Sequence, residues 1–394
     1  MMPGYNLSIS LLAVAVSLLT VTVDSFLTFS AVASTPTLSV EGRYPCCIRS
    51  GTTVLKISST EGNQEPANLN GKVAVVTGAS RGIGKGVALS LGQQGYTVYV
   101  TGRSSGGTTT NERVGGTLEE TAAAIEAAGG KGVAVACDHA DDKQVKRLFE
   151  KVESEQGRLD VLVNNAFSLG PGLQLKTKFW QQAENAWDPL MTVGLRSHYM
   201  ASCFAAPLMI KTAAAAGEER RPGLIACISS FGGLSYTFNV AYGVGKAGVD
   251  RLAKDMSIEL EEENVAVVSL YPGIVTTEIM QDIMRNEDFE RNTGIPPKVP
   301  TETPLFAGRG VVALASDPGI MAKTGKVLVV AELAKEYGFY DVDGSRPPSI
   351  RSLRFLLATY LFPKVLPKDV QVPADAIPDW LLPFGVMRNG KPPS

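Results

Sequence analysis

Residues Lys72 to Gly84 read KVAVVTGASRGIG, and no other stretch of the 394-residue chain restricts its fold so sharply. An apolar, β-branched run breaks into a glycine-rich turn and then into GKGVALSLGQQG, a helix-like pattern. A strand, a turn and a helix in that order bring helix N-terminal amides and an uncluttered backbone to one point, where a pyrophosphate can approach. The glycines are Gly78, Gly82 and Gly84, a wider spacing than the commoner GxGxxG.

Apolar runs then alternate with helical patterns along the chain. YTVYVTGR (from Tyr96), GVAVACD (ending at Asp138), LDVLVNNAF (Leu159 to Phe167), RPGLIACISS, NVAVVSLYPG and GKVLVV read as the later strands. The pattern predicts an α/β fold with a single Rossmann-type, doubly wound parallel sheet of about seven strands. An NAD site usually ends the second strand with an acid; here Gly102 takes that place and Arg103 follows. With Arg81 in the glycine turn, two guanidiniums could hold a 2′-phosphate, which favours NADP(H) over NAD(H). Two solvated arginines are the plainer alternative.

A second constellation lies at Ser229 to Lys246, SSFGGLSYTFNVAYGVGK. Tyr242 and Lys246 are four apart, hence one turn apart on one helix face. A phenol titrates near ~10, and an adjacent ammonium pulls it toward the range of general acid–base catalysis. Ser229 and Ser230 close the run LIACIS ahead of them, where a hydroxyl could polarise a carbonyl.

TGASRGIG ahead of YGVGK resembles the short-chain dehydrogenase/reductase family, over roughly Leu69 to Val330. The resemblance implies hydride transfer between a nicotinamide and a carbonyl or alcohol carbon. Ser230, with Ser229 as the alternative, would stabilise the oxyanion, Tyr242 would donate the proton, and Lys246 would tune the tyrosine and bind the ribose. Gly78, Ser80, Arg81, Gly82, Ile83 and Gly84 would line the cofactor. Asp138 would meet the adenine, or cap the following helix; Asn165 would reach the ribose, and Asn164 would serve structure. In PGIVTT, Val275 and Thr277 would meet the carboxamide. No metal is needed.

Two positions depart from the family pattern. Phe167 stands where NNAG has glycine, and Gly194, in WDPLMTVGLRSHY, stands where a relay asparagine is usual. Water on the Gly194 backbone or His198 is the expected substitute in proton resupply. A branch of the family with glycine at that position and a long C-terminal tail also matches VGLRSHY, YTFNVAYGVGK and YPGIVTTE. It implies reduction of ketones and aldehydes, steroid-like or quinone-like ones included. An NAD-dependent alcohol dehydrogenase and a catalytically weak NADP-binding sensor or scaffold are the rival readings.

The pocket's walls are less well marked. Phe179 and Trp180 are candidates for an aromatic wall, with core packing as the alternative. Ser104 to Gly116 reads as a polar insertion at the nucleotide cleft, and Met280 to Thr303 as a lid. The domain divides at 67–331, with a C-terminal extension over 332–394. In that extension Leu353 to Phe362, flanked by Arg351 and Arg354, could lie on a membrane surface, meet a partner subunit or pack on its own domain.

Charge is nearly balanced, 37 basic against 39 acidic residues, so no nucleic-acid partner is indicated. Five cysteines without CxxC and two histidines, His139 and His198, indicate neither zinc nor a disulfide framework. Residues 1–66 read as targeting sequence: an uncharged apolar run, Leu7 to Val23, suits a signal-peptide core, and a Ser/Thr-rich stretch follows. Together they resemble a two-part plastid presequence, with an endoplasmic-reticulum anchor as the alternative. A homo-oligomer is expected, with a small carbonyl or alcohol as substrate.

Overall fold

The computed structural model describes residues 71–109, 114–170, 174, 177–215, 221–285, 295–296, 299–366, 372–373 and 376–387. The targeting segment 1–66 and parts of the expected lid and C-terminal extension lie outside them.

Seven strands form one parallel sheet: β1 (Val73–Thr77), β2 (Thr97–Gly102), β3 (Lys131–Ala136), β4 (Val161–Asn164), β5 (Gly223–Ile228), β6 (Val265–Tyr271) and β7 (Val327–Val329). Their spatial order is β3-β2-β1-β4-β5-β6-β7. The central strands are apolar throughout because helices cover both faces, and successive residues feed opposite cores. Ala74 and Val76 join Leu91, Leu118 and Phe306 on one face; Val73 and Val75 join Phe149, Met209 and Val249 on the other.

The first face is covered by α1 (Gly82–Gly92), α2 (Leu118–Ala127) and residues from Phe306 to Ala334; the second by α3 (Asp142–Gln156), α4 (Ser197–Ala215) and α5 (Val240–Glu259). The helix starts were marked in the sequence. Thr117 and Glu120 form a reciprocal capping box on α2, and Asn239 caps α5 by accepting the Tyr242 amide at 2.9 Å. At α3 the cap is Asp141, which accepts the Lys143 amide, and Asp138 instead accepts the Ala140 amide one turn earlier. The expectation that Asp138 caps this helix is therefore corrected by three residues.

Strand order reverses between β1 and its neighbours β2 and β4, which opens a crevice at the carboxyl ends of the strands. Of three further helices, α6 (Glu278–Met284) borders it, while α7 (Pro304–Ser316) and α8 (Val330–Tyr337) pack on the first face of the sheet. Beyond α8 the chain turns at Gly338 and packs back on the sheet domain. Asp341 accepts both the Thr303 amide and its hydroxyl, and Arg351 pairs with both oxygens of Glu332 at 2.7 and 2.6 Å. Arg354 donates to the Ile377 carbonyl, and Phe355 is buried. Both arginines of the segment are thus engaged within the chain. Among the described residues no helix is long and apolar enough to cross a membrane.

Candidate active site

The glycine turn joins β1 to α1 with Gly78 and Gly82 at positive φ, +67° and +57°. Gly84 is required by space: a Cβ there would stand 2.3 Å from the Gly78 carbonyl oxygen and 2.5 Å from Nδ2 of Asn165. Asn165 spends that amide on the turn itself, donating to the carbonyls of Thr77 (2.8 Å) and Gly78 (3.0 Å). Asn164 donates to Ser202 at 2.9 Å, the structural role expected of it.

A cleft of about 230 Å³ opens beside this turn, with Ser80, Arg81, Ile83, Arg103, Asp138 and Asn165 among its lining. The two arginines differ. Arg81 gives its guanidinium to the polar insertion, bonding the Gly115 and Gly116 carbonyls and the Ser104 and Thr109 hydroxyls. Arg103 is exposed at the rim. At the N-terminus of α1 the Gly82 amide donates to Oε2 of Glu278 at 2.8 Å, a residue the sequence did not single out. Close-packed glycines and helix amides facing one cleft fit a dinucleotide, since no other residue type would leave the backbone so accessible.

The second half of the site lies at the ends of β4, β5 and β6. Tyr242 donates to Oγ of Ser230 at 2.8 Å, and that oxygen also accepts the Gly232 amide at 3.1 Å. Ser229 points the other way, its hydroxyl donating to the Lys246 carbonyl at 3.2 Å. Of the two candidate serines, the geometry couples Ser230 to the tyrosine. Lys246 is buried and donates to the Ile228 carbonyl at 3.0 Å. Burial lowers its pKa to about 8, against partial support from Asp250 and Cys227.

Tyr242 responds differently from the sequence expectation. Enclosure of its phenol raises its pKa, the Ser230 hydrogen bond offsets this only in part, and Lys246 does not reverse it. The phenol therefore holds its proton at neutral pH, as a donor must. His198 is buried, with burial lowering its pKa to about 3, so the ring is neutral and donates from Nε2 to the Ala166 carbonyl at 3.1 Å. Among the described residues no hydrogen bond joins it to Lys246, so its contact is with the chain next to Phe167.

Two aromatic rings flank the tyrosine. Phe167 meets it edge-on, with centroids 5.9 Å apart, and also lies 4.8 Å beneath the Lys246 ammonium. Phe238 lies 5.1 Å away and holds φ at +61°, a left-handed conformation rare for a bulky residue, just before the cap of α5. A Cβ at Gly194 would stand 3.1 Å from the Phe167 ring, so any larger residue there requires the ring to shift by a few tenths of an ångström.

Above Ser230, Tyr242 and Lys246 lies a second cleft of about 350 Å³, lined mainly by apolar side chains such as Phe231, Phe238, Met280, Ile350, Phe355 and Tyr360. Three of these come from beyond α8. The aromatic wall expected from Phe179 and Trp180 is not there. Both lie in a short 3-10 turn on the surface, 63% and 68% exposed, and pack on each other rather than in the pocket or core.

The PGIVTT exit borders both clefts. Thr277 lines each of them while its hydroxyl caps α6, and Val275 is buried in a bridge to Glu302. Glu302, also missed in the sequence, is buried against Gly273, and burial raises its carboxyl pKa to about 8. No metal-binding cluster occurs among the described residues.

With the crevice, the glycine turn and the Ser230–Tyr242–Lys246 constellation in place, the class follows: a nicotinamide-dependent oxidoreductase acting on CH–OH and C=O groups. The model of the short chain dehydrogenase family matches residues 72–288, and the chain belongs to that family, which uses NAD(P)(H). Within it the chain is similar to dehydrogenase/reductase SDR family member 1 of mouse and human, 44% identical over 300 residues, covering 74% of this chain and 90% of each relative. It also matches an uncharacterized NAD-dependent oxidoreductase of Mycobacterium tuberculosis, 30% identical over 282 residues, covering 68% of this chain and 98% of the relative. Among solved structures, the RhlG/NADP active-site complex of Pseudomonas aeruginosa superposes with a TM-score of 0.56 at 25% identity, covering 67% of this chain and 97% of that one.

Proposed function

We propose that this chain is an NADP(H)-dependent carbonyl reductase for bulky, predominantly apolar ketones and aldehydes. The observation that carries the reading is the Tyr242–Ser230 hydrogen bond at the base of a largely apolar cleft. When bound, the reduced nicotinamide supplies a hydride to the carbonyl carbon. The chain's part is to stabilise the oxyanion through the Ser230 hydroxyl and to protonate it from the Tyr242 phenol. Lys246, largely charged at neutral pH, steadies the tyrosinate left behind. A steroid-like or quinone-like carbonyl suits an apolar wall that has few polar partners.

The preference for NADP(H) rests on Arg103, exposed at the end of β2 where an acid would repel a 2′-phosphate. Arg81, tied to the insertion, supports the cleft more than it offers a ligand. The NAD-dependent relative favours a second reading, an alcohol dehydrogenase using NAD. We read residues 1–66 as a targeting presequence for a plastid, 67–331 as the catalytic domain, and 332–394 as an extension that completes the pocket. Exposed Tyr199, Val240, Val244 and Ile258 give α4 and α5 an apolar face suited to a second copy.

Two measurements test the reading. Titration of the full chain with NADPH and NADH, followed by nicotinamide fluorescence, should show tighter NADPH binding that Arg103→Ala weakens about tenfold. Equal or NADH-favouring affinity would move the assignment to the oxidative reading. In a screen of apolar ketones, Tyr242→Phe should lower kcat by about 10²- to 10⁴-fold and Ser230→Ala nearly as much, with Ser229→Ala close to the parent. A fully active Tyr242→Phe would remove the proposed acid.

A further inference from the structure

We infer that Phe167 is a positioning residue for both Lys246 and Tyr242, and that Gly194 is glycine because the Phe167 ring needs its space. This deepens the proposed function and rests on its assignment of Tyr242 and Lys246. One side chain makes three contacts at the place where the two clefts join. Its face lies 4.8 Å below the Lys246 ammonium, its edge meets the Tyr242 ring at 89°, and its Cδ2 and Cε2 would stand 3.1 and 3.3 Å from a Cβ at position 194. Phe167 lines both clefts, so a nicotinamide and a carbonyl would meet beside it.

Lys246 has need of such a partner. An ammonium has three donors, and one of them goes to the Ile228 carbonyl. The titratable groups that face it are Tyr242 and Asp250 on its own helix, Cys227 on β5 and His198 on α4. None supplies a counter-ion in contact. The Asp250 carboxylate accepts from the hydroxyls of Ser269 and Tyr271, burial pushes the Cys227 thiol up to about 12, and His198 is neutral and turned to Ala166. The negative face of an aromatic ring then holds the cation in place where, among the described residues, no carboxylate does. Because the same ring is braced against Tyr242, the ammonium and the phenol keep their mutual geometry through it.

Gly194 completes the arrangement. It lies in a π-helical turn, Thr192–Arg196, leading into α4, where alanine would ordinarily be the better residue. A contact at 3.1 Å is inside normal carbon–carbon separation, so a β-carbon there would displace the ring from the place where it meets Lys246 and Tyr242 by a few tenths of an ångström.

The test uses the full chain and two readouts. Competitive acetylation across a pH series, read by mass spectrometry at Lys246, reports the ammonium without any substrate. The pH profile of carbonyl reduction reports it with one. Phe167→Leu keeps apolar bulk but removes the ring face, and should lower the Lys246 pKa by about half a unit. It should also reduce kcat about tenfold, with the nucleotide KM little changed. Phe167→Tyr, which restores a face, should return both toward the parent.

Gly194→Ala should cost about tenfold in kcat alone, and almost nothing further in a Phe167→Ala background. An unchanged Lys246 pKa in Phe167→Leu, or fully additive losses from the two sites, overturns the inference. If no carbonyl is reduced by the parent, the proposed function fails. A Lys246 pKa that falls with leucine and recovers with tyrosine would still uphold the positioning role.

Discussion

The nucleotide cleft draws Gly78 to Ile83, Arg103, Asp138 and Asn165 from the first four strands and the turns directly after them, with Thr277 and Glu278 closing it from the end of β6. The carbonyl cleft draws Ser230 from the end of β5, Tyr242 from α5, Met280 from α6, and Ile350, Phe355 and Tyr360 from a segment more than a hundred residues beyond the tyrosine. In the first region the core of the site follows from local backbone shape: the glycines without β-carbons lie within a few residues of one another. In the second, the reactive trio is local while the walls are tertiary. The family model ends at residue 288, before the chain reaches those walls. The fold shared across the family carries the reactive trio, and a segment outside the matched part supplies part of the wall above it.

The difference predicts unequal responses to substitution. Gly84→Ala places a Cβ against backbone that cannot yield, 2.3 Å from the Gly78 oxygen. Overpacking of that kind costs about 1–3 kcal/mol, and it should appear as a 10- to 100-fold loss of nucleotide affinity for every substrate alike. Calorimetric titration with NADPH measures it directly. An alanine variant that binds at parental strength would show that this turn is not the cofactor's seat.

The carbonyl cleft should respond selectively instead. Tyr360→Ala removes part of an apolar wall without touching Ser230, Tyr242 or Lys246. For a bulky apolar ketone kcat/KM should fall about tenfold, and for a two- or three-carbon aldehyde it should stay within about twofold. Equal losses for large and small carbonyls would mean that the C-terminal segment supports the fold rather than selecting substrate.

The same contrast explains what could be read from the sequence. The seven strands were legible because strands buried on both faces are continuous apolar runs, and the glycine turn because its spacing is local. Tyr242 and Lys246 were legible through a four-residue helical spacing, whereas the choice between Ser229 and Ser230 needed the direction of two hydroxyls. The resemblance assigns Asn165 to the cofactor, and it does line the nucleotide cleft; that its amide also closes the turn is visible only once β4 lies beside β1. Phe179 and Trp180 drew attention by composition alone, and a two-ring cluster on a surface turn looks the same in sequence as one in a pocket. The run LRFLLATYLF carried the correct signal, an apolar stretch with nowhere to go, but not the identity of the face it covers. Phe167 and Gly194 each depart from the family pattern; that a side chain at 194 would meet the Phe167 ring is a fact of three dimensions.

Lys246 lies at the base of the carbonyl cleft, and its smallest expected effect is the one on stability. It is buried with one hydrogen bond and an aromatic face, and its pKa is lowered from 10.5 to about 8. The fold therefore prefers the neutral amine while catalysis uses the charged one, so the residue costs stability in the service of the site. Below pH 8 the folded protein must carry the buried charge, and the cost is present in full. Between pH 8 and 10.5 the unfolded chain binds more protons than the folded one, so parental stability rises with pH across that window. Lys246→Met should abolish reduction yet unfold with about 1–2 kcal/mol more stability at pH 7, once loss of the Ile228 hydrogen bond is set against relief of desolvation. Its advantage over the parent should shrink toward pH 10, where the lysine is neutral anyway. Urea unfolding at pH 7 and pH 10 measures both, and a Met variant less stable than the parent at each pH would show that the charge is held by the fold rather than imposed on it.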